Sequence, residues 1–333
     1  MKKIVFFLCA FVLHNTSNAQ DSTFAEKLGY PQGSRVVILH VDDVGMSYDS
    51  NEGAINAIVN GVATSCSVMM PCPWVPDFVH YIKTHPAIDA GLHLTLTSEW
   101  KDYRWSPLAG RLVVPGLTDN EGNLWPSVED VVKHATADEV YTEIKAQLAR
   151  AQAMEFQPTH LDSHMGTLFA SPSFLQMYVK LGIENHIPVM MPAGKASLIQ
   201  TQMHFPNAAM VHFRNIGKTL WDAGLPVLDD LYNETYEWPI PDSLKNDDTK
   251  LQEWRTQKYI AALKQLQPGV TMLIMHCTAT TPAFQYISDS GPVRRGDMLV
   301  MMDPVFKKAL ADEHIILTTW RELMQRRTKI IKQ

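Results

Sequence analysis

Cysteine is scarce in this chain: four residues in 333, at positions 9, 66, 72 and 277. Cys9 falls in a leader-like N-terminal stretch. The three that remain are an odd number with no zinc-module spacing, so neither a disulfide framework nor a structural zinc cluster is expected. Nothing in the sequence supports a Cys66–Cys72 bridge. A basic surplus is also missing. Lys and Arg number 29 against 35 Asp and Glu, for a net charge of −6. That balance argues against a nucleic-acid partner, which would want a basic face. Past the first residues no apolar run is long enough to span a bilayer, so no stable membrane anchor is expected. No internal repeat or low-complexity block stands out.

What is present begins with the leader. "MKKIVFFLCAFVLHNTSNAQ" carries two lysines, an apolar stretch from Ile4 to Leu13 and a polar end at Asn18-Ala19. This is the layout of a secretory signal peptide over residues 1–19, cleaved after Ala19, and it predicts an exported, periplasmic or secreted protein. Cys9 sits inside the apolar region after Leu8, where a lipidation site would want a small residue. Residues 20–333 then suit a single α/β barrel or two smaller domains.

Apolar runs alternate with helix-like stretches, the pattern of a parallel sheet with crossover helices. Strands are predicted at 35–41, 62–70, 88–97, 158–164, 187–192, 225–232, 270–277 and 315–320. Helices are predicted at 50–61 (capped by Ser50), across "VPDFVHYIKTHP", at 136–154 with a Thr136/Glu139 capping box, at 249–269, and over the last residues. Residues 195–250 are hard to parse. Seven or eight strand–helix units favour a distorted, TIM-like (β/α) barrel over an open sheet, as a single domain spanning 20–333. Between Ser98 and Ser127 a stretch rich in Gly, Pro and aromatics breaks the rhythm, and loops this long inside a compact domain are usually functional or disordered.

The polar groups cluster at strand ends, where parallel α/β folds build active sites. In "GLHLTLT" the leucines share one face and His93 lies on the other. In "HLDSH", His160, Asp162 and His164 share a face. Two histidines and a carboxylate aimed from strands into a cavity suggest metal ligation backed by supporting carboxylates. Taken singly, His160 or His164 reads as a hydrogen-bonded core residue; it is their combination with the aspartate pair that points to a metal. Asp42 and Asp43 end the run "VVIL". Adjacent strand residues face opposite ways, so both serve one site only where the strand is ending, and Gly45 permits a turn. One carboxylate then binds a cation while the other stays free as a base; the plainer alternative is a turn or helix cap. His276 ends the most apolar strand, where an imidazole either donates a proton to a leaving group or packs as a core residue. Arg294 and Asp297, in "RRGD", form either a pair that positions a base or histidine, or a solvated surface pair. Trp100, Tyr103, Trp105 and Trp125 offer a stacking platform for sugar rings, or simply pack the long loop. A second aromatic group, Tyr232, Tyr236, Trp238 and Trp254, lies in the unparsed middle.

The stretch "HVDDVGMSYDSNEGAINAIVNGVATSCSVMM", followed in order by "GLHLTLT", "PTHLDSH" and "MHC", resembles the YdjC-like family of carbohydrate (chitooligosaccharide) deacetylases, related to the polysaccharide deacetylases. The resemblance runs from about Val36 to Thr319. It implies a distorted barrel and one divalent metal held by Asp43, His93 and His164, with Asp42 as general base and His276 as general acid. Arg294 and Asp297 fall where the family tends to carry an arginine followed three residues later by an acid. His160 and Asp162 become supporting residues. The chain departs from the common pattern at Val44, at "MGTLF" after "HLDSH", and at Cys277-Thr278 after His276, mostly on the substrate side.

The implied chemistry is hydrolysis of the acetamide of an N-acetylated sugar or oligosaccharide. Zinc suits two imidazoles and a carboxylate, with magnesium, manganese or iron as alternatives. Two rivals stand beside it: another metal-dependent hydrolase on the same barrel, such as a phosphoesterase or non-sugar amidase, and a non-catalytic exported sugar-binding protein.

Overall fold

The computed structural model describes residues 22–332; the expected leader over residues 1–19 lies outside them. Within them, seven strands form one parallel sheet. They are β1 (Arg35–Val44), β2 (Ser65–Val68), β3 (Ala90–Leu94), β4 (Leu161–Ser163), β5 (Asp230–Tyr232), β6 (Gly269–Met275) and β7 (Ile315–Leu317). The order is β4-β3-β2-β1-β6-β5, and β7 pairs with the first residues of β1. Single parallel bridges Leu161–Val189 and Pro192–Leu228 carry the ring on from β4 towards β5. The result is a distorted barrel, in agreement with the fold expected.

β1 is the axis of the structure. It pairs with β6 from Arg35 to Val41 and with β2 near its end. Val36 to Leu39 and Val41 are fully buried, as strands covered on both faces require. Helices Ala137–Ala153, Pro172–Asn185 and Asp248–Leu263 lie outside the ring. Thr136 and Glu139 close the predicted capping box on the first of these. The second turn of the chain differs from expectation: the helix Tyr48–Ile55 is capped by Ser47, whose Oγ accepts the Ser50 N–H, and it runs on as a π-turn over Asn56–Asn60. Ser50 is buried one turn inside. The predicted strand at 187–192 is reduced to the two bridges. The unparsed middle holds the helix Asn207–Asp222. The last helix, Trp320–Ile331, is held at its N-terminus by Asp89, which accepts the Trp320 and Arg321 N–H groups. Its fully buried Trp320 stacks on His160. No helix among the described residues is long and apolar enough to cross a membrane.

Candidate active site

β1 carries both aspartates into one cavity through a local distortion. Its register with β2 slips between Val41 and Val44, and Asp43 itself adopts a left-handed φ of 64°. The turn therefore begins at Asp43, ahead of Gly45, where the sequence alone had placed it. Such a backbone costs a non-glycine residue about 1–3 kcal/mol and persists only where surrounding contacts enforce it.

Those contacts are charged. Asp43 Oδ2 accepts from Arg294 Nη1 at 2.7 Å. Its Oδ1 is buried and makes no hydrogen bond among the described residues, yet His93 Nε2 lies 3.3 Å away and His164 Nδ1 3.2 Å away. The far nitrogen of each imidazole is anchored. His93 Nδ1 sits 2.7 Å from Asp162 Oδ1, which β3–β4 register places beside it. His164 Nε2 sits 3.1 Å from Glu99 Oε2. Anchoring the far nitrogens to carboxylates turns the near ones, with their lone pairs, towards Asp43 Oδ1.

Two other triads of potential ligands interlock with this one, His40–His160–Asp162 and Asp42–His93–Asp162. Only Asp43, His93 and His164 all face the cavity, which is about 600 Å³ in volume. Their ligand atoms lie within 4.8 Å of one another. An unbonded carboxylate oxygen facing two oriented imidazoles fits a divalent cation.

The electrostatics agree. Burial would raise the Asp43 carboxyl, but Arg294 and the two histidines outweigh it and hold it well below the usual range. Burial would lower His164, but Glu99 and Asp43 push it up to about 9. His93 is likewise driven well above its ordinary value, by Asp42 and Asp162 against the effect of burial. A cation bound there would compete with protons for the near nitrogens.

Asp42 lines the same cavity. Its Oδ1 is 3.2 Å from His40 Nε2, whose ring bridges to Asp162 Oδ2 at 2.9 Å. Its Oδ2 has only a distant approach, 3.8 Å, from His93 Nε2. Opposite, His276 Nε2 lies 3.9 Å from Asp43 Oδ2. Burial pushes this imidazole down, with Asp43 opposing.

Several sequence-based placements are corrected by the geometry. Arg294 and Asp297 do not pair with each other. Arg294 holds Asp43, while Asp297 lies behind His276: it accepts the His276 N–H and binds Arg255 and Tyr259. Both face inward from the helix Gly291–Met301 and are buried, so the surface pair is excluded. His160 is two contacts from the centre: its Nε2 is 3.7 Å from Asp162 and its ring stacks on Trp320. Of the four loop aromatics, only Trp100 lines the cavity. Trp105 donates to Thr97, Trp125 donates to Gly116 and stacks on His134, and Tyr103 donates to Met46. Their polar tips are tied to backbone carbonyls, so they stiffen the loop. Tyr236, from the second group, does reach the cavity; its companion Trp238 packs on Tyr259 instead.

Reasoning from sequence missed His40, Glu99, Arg255 and Tyr259. Alternation offered His40, which shares the Asp42 face of β1. Glu99 had only its place just beyond β3, and the buried Arg255 had no local signal.

Comparison with known proteins agrees with this architecture. A carbohydrate deacetylase from Thermus thermophilus is 31% identical over 300 residues, covering 90% of this chain and 97% of that protein. A carbohydrate deacetylase from Brevibacillus brevis is 34% identical over 156 residues, 47% of this chain and 59% of that protein. A crystal structure from Enterococcus faecalis, described as a candidate cellobiose-phosphate cleavage protein, superposes with a TM-score of 0.67 at 19% identity, over 87% of this chain and 99% of that one; it speaks for the fold alone. The YdjC-like protein family model matches residues 36–312, and the chain belongs to that family.

Proposed function

We propose that this chain is a metal-dependent carbohydrate deacetylase, hydrolysing the acetamide of N-acetylated sugars or oligosaccharides. One observation carries the reading: Asp43 Oδ1 stands unbonded between His93 Nε2 and His164 Nδ1 at a cavity wall, with the Asp42 carboxylate beside it. Asp43, His93 and His164 would hold the ion, which would polarise the acetamide carbonyl and activate water. Zinc is the ion proposed, since two imidazoles and one carboxylate leave it open positions; magnesium, manganese and iron are the alternatives.

The chain's own residues supply the proton transfers. Asp42, with Oδ1 held near His40, takes the proton of the attacking water on Oδ2. Arg294 keeps Asp43 ionised and fixed. The carbonyl carbon gains the water oxygen, the C–N bond breaks, and His276 Nε2 delivers a proton to the departing sugar amine. Afterwards Asp42 gives its proton to solvent and His276 takes one back, which restores the starting state. Asp297 fixes the backbone of His276 from behind. Arg294 is committed to Asp43, which leaves the cavity short of the cationic clamps that phosphoryl transfer uses and disfavours a phosphoesterase. The lysine-flanked apolar leader supports export, with action outside the cytoplasm.

The test pairs acetate release from a panel of N-acetylated sugars with metal analysis. The parent chain should bind metal and release acetate. Asp42→Asn should lose about 100- to 10,000-fold in turnover while retaining metal. Acetate from no sugar with metal bound, or an unimpaired Asp42→Asn, overturns the reading.

A further inference from the structure

The cavity is far more apolar than a sugar needs. On the side of His164 its wall is built from Phe169, Met190, Ile199, Met203, Phe205 and Phe213. Going round the barrel, this wall follows β4 and ends at β5. Met165 and Met203 stand at its mouth, 49% and 48% exposed. Phe213 packs edge-on against both Phe169 and Phe205, so the aromatic surface is preformed. On that side the polar lining residues are Ser163 and Glu99, the latter engaged by His164; Asn233, Tyr236 and Glu237 line the cavity next to His276, with the Tyr236 ring 4.9 Å from the His276 ring.

The reaction orients a substrate between these two sides. The departing nitrogen has to face His276, which brings the sugar hydroxyls to Asn233, Tyr236 and Glu237. The acyl carbon then points away from His276, towards His164 and the apolar wall. An acetyl methyl would leave most of that wall in contact with water. We propose that the substrate is an N-acylated amino sugar whose acyl chain is longer than acetyl, and that the Phe169–Phe213 wall is its acyl site. This rests on the deacetylase reading and names its acyl group. The bond chemistry is unchanged: the amide C–N bond breaks, water supplies the oxygen, and a longer carboxylate leaves with the free amine. Methionines at the mouth suit a flexible chain of variable length.

The experiment uses the metal-loaded enzyme with glucosamine and chitobiose carrying N-acetyl, N-butyryl, N-hexanoyl or N-octanoyl groups. 4-Nitrophenyl N-acetylglucosaminide serves as the arm with an apolar group on the sugar side. Amine release should give kcat/KM rising about fourfold for each methylene buried, until the wall is filled. Met203→Trp, at the half-exposed mouth, should lower the ratio of hexanoyl to acetyl activity by tenfold or more, with folding checked by circular dichroism. Acetyl release with no gain from longer chains overturns the inference and leaves the deacetylase reading standing. A gain only from the nitrophenyl group also overturns it, by assigning the wall to the sugar side. No amine from any substrate defeats the deacetylase reading itself.

Discussion

Asp162 is buried and touches no part of the cavity, yet the site geometry depends on it. Its Oδ1 anchors His93, and its Oδ2 lies 2.9 Å from His40 Nε2. Asp162→Ala removes both acceptor oxygens. His93 then loses the contact that turns Nε2 towards Asp43. Loss of such a supporting carboxylate weakens metal affinity by about 10- to 100-fold. With metal at about 100 times the parent Kd, binding stabilises the parent by about 2.7 kcal/mol. At the same concentration the variant would gain only about 1.4 kcal/mol for a tenfold loss, or about 0.4 for a hundredfold loss. Unfolding entropy of about 2.1 cal/mol/K per residue gives about 0.7 kcal/mol/K for 333 residues. The metal-induced rise in Tm should thus fall from about 4 °C to about 2 °C or below. Differential scanning calorimetry with and without zinc measures it, each protein serving as its own metal-free reference. A variant whose metal-induced rise equals the parent's would refute the carboxylate–histidine orientation of the site.

Two further outcomes follow from charges outside the ligand triad. Arg255→Met strands Asp297, whose carboxylate is fully buried and shares its Oδ1 between Arg255 and Tyr259; breaking a buried pair in this way costs about 3–5 kcal/mol, and urea unfolding should show the loss, with Arg255→Met/Asp297→Leu recovering part of it. Burial would raise Glu139, but N–H groups of Thr136 and Gly116 together outweigh it and hold the carboxyl below the usual glutamate range, so its contribution to stability is present above the ordinary glutamate value and is lost as acid takes the pH down through its lowered one. Urea midpoints at pH 7 and pH 3.5 should accordingly fall less between the two for Glu139→Gln than for the parent, and an identical fall would refute the assignment.

Much of this site was readable because its ligands sit on strands. Period-two alternation put His93 on the inner face of β3 and Asp162 with His164 on one face of the next strand; the structure keeps His93 on β3 and Asp162 on β4, and sets His164 in the cavity wall one residue past the end of β4. The same rule applied to β1 would have added His40 to Asp42. What could not be read was pairing across the fold. Arg294 and Asp43 are 251 residues apart, and Arg255 reaches Asp297 from a different helix; neither contact leaves a periodic trace. "RRGD" suggested a local pair because its charges are three residues apart, but on the helix Gly291–Met301 the two side chains serve different partners. The middle of the chain resisted for another reason. β5 has three residues, and its neighbour in the ring is a pair of bridges, too short for any pattern. The helix Asn207–Asp222 did carry a signal: Met210, Phe213, Gly217 and Leu220 are its buried positions. Glycine at 217 obscured it, being required where a Cβ would come within 2.3 Å of the Ala193 side chain.

Two adjacent carboxylates at the end of a buried strand remain to be explained energetically. Like charges 4 Å apart repel by about 4 kcal/mol at an effective dielectric constant near 20. The left-handed turn at Asp43 adds about 1–3 kcal/mol of strain. Without that turn, alternation would send Asp43 away from the cavity, and most of both terms would vanish. The fold bears them and opposes them with Arg294, His40, His93 and His164. The opposition is uneven in a way that fits the proposed roles. Asp43 has Oδ2 clamped by a permanent cation and Oδ1 left open between two imidazoles. Asp42 has Oδ1 held by an imidazole and Oδ2 left towards the cavity, with no arginine near enough to pair. A carboxylate fixed by arginine resists protonation and suits a cation. One with no arginine clamped to it keeps an oxygen open for the role of base. On the proposed reading, the distortion of β1 is thus what turns two like residues into one ligand and one base.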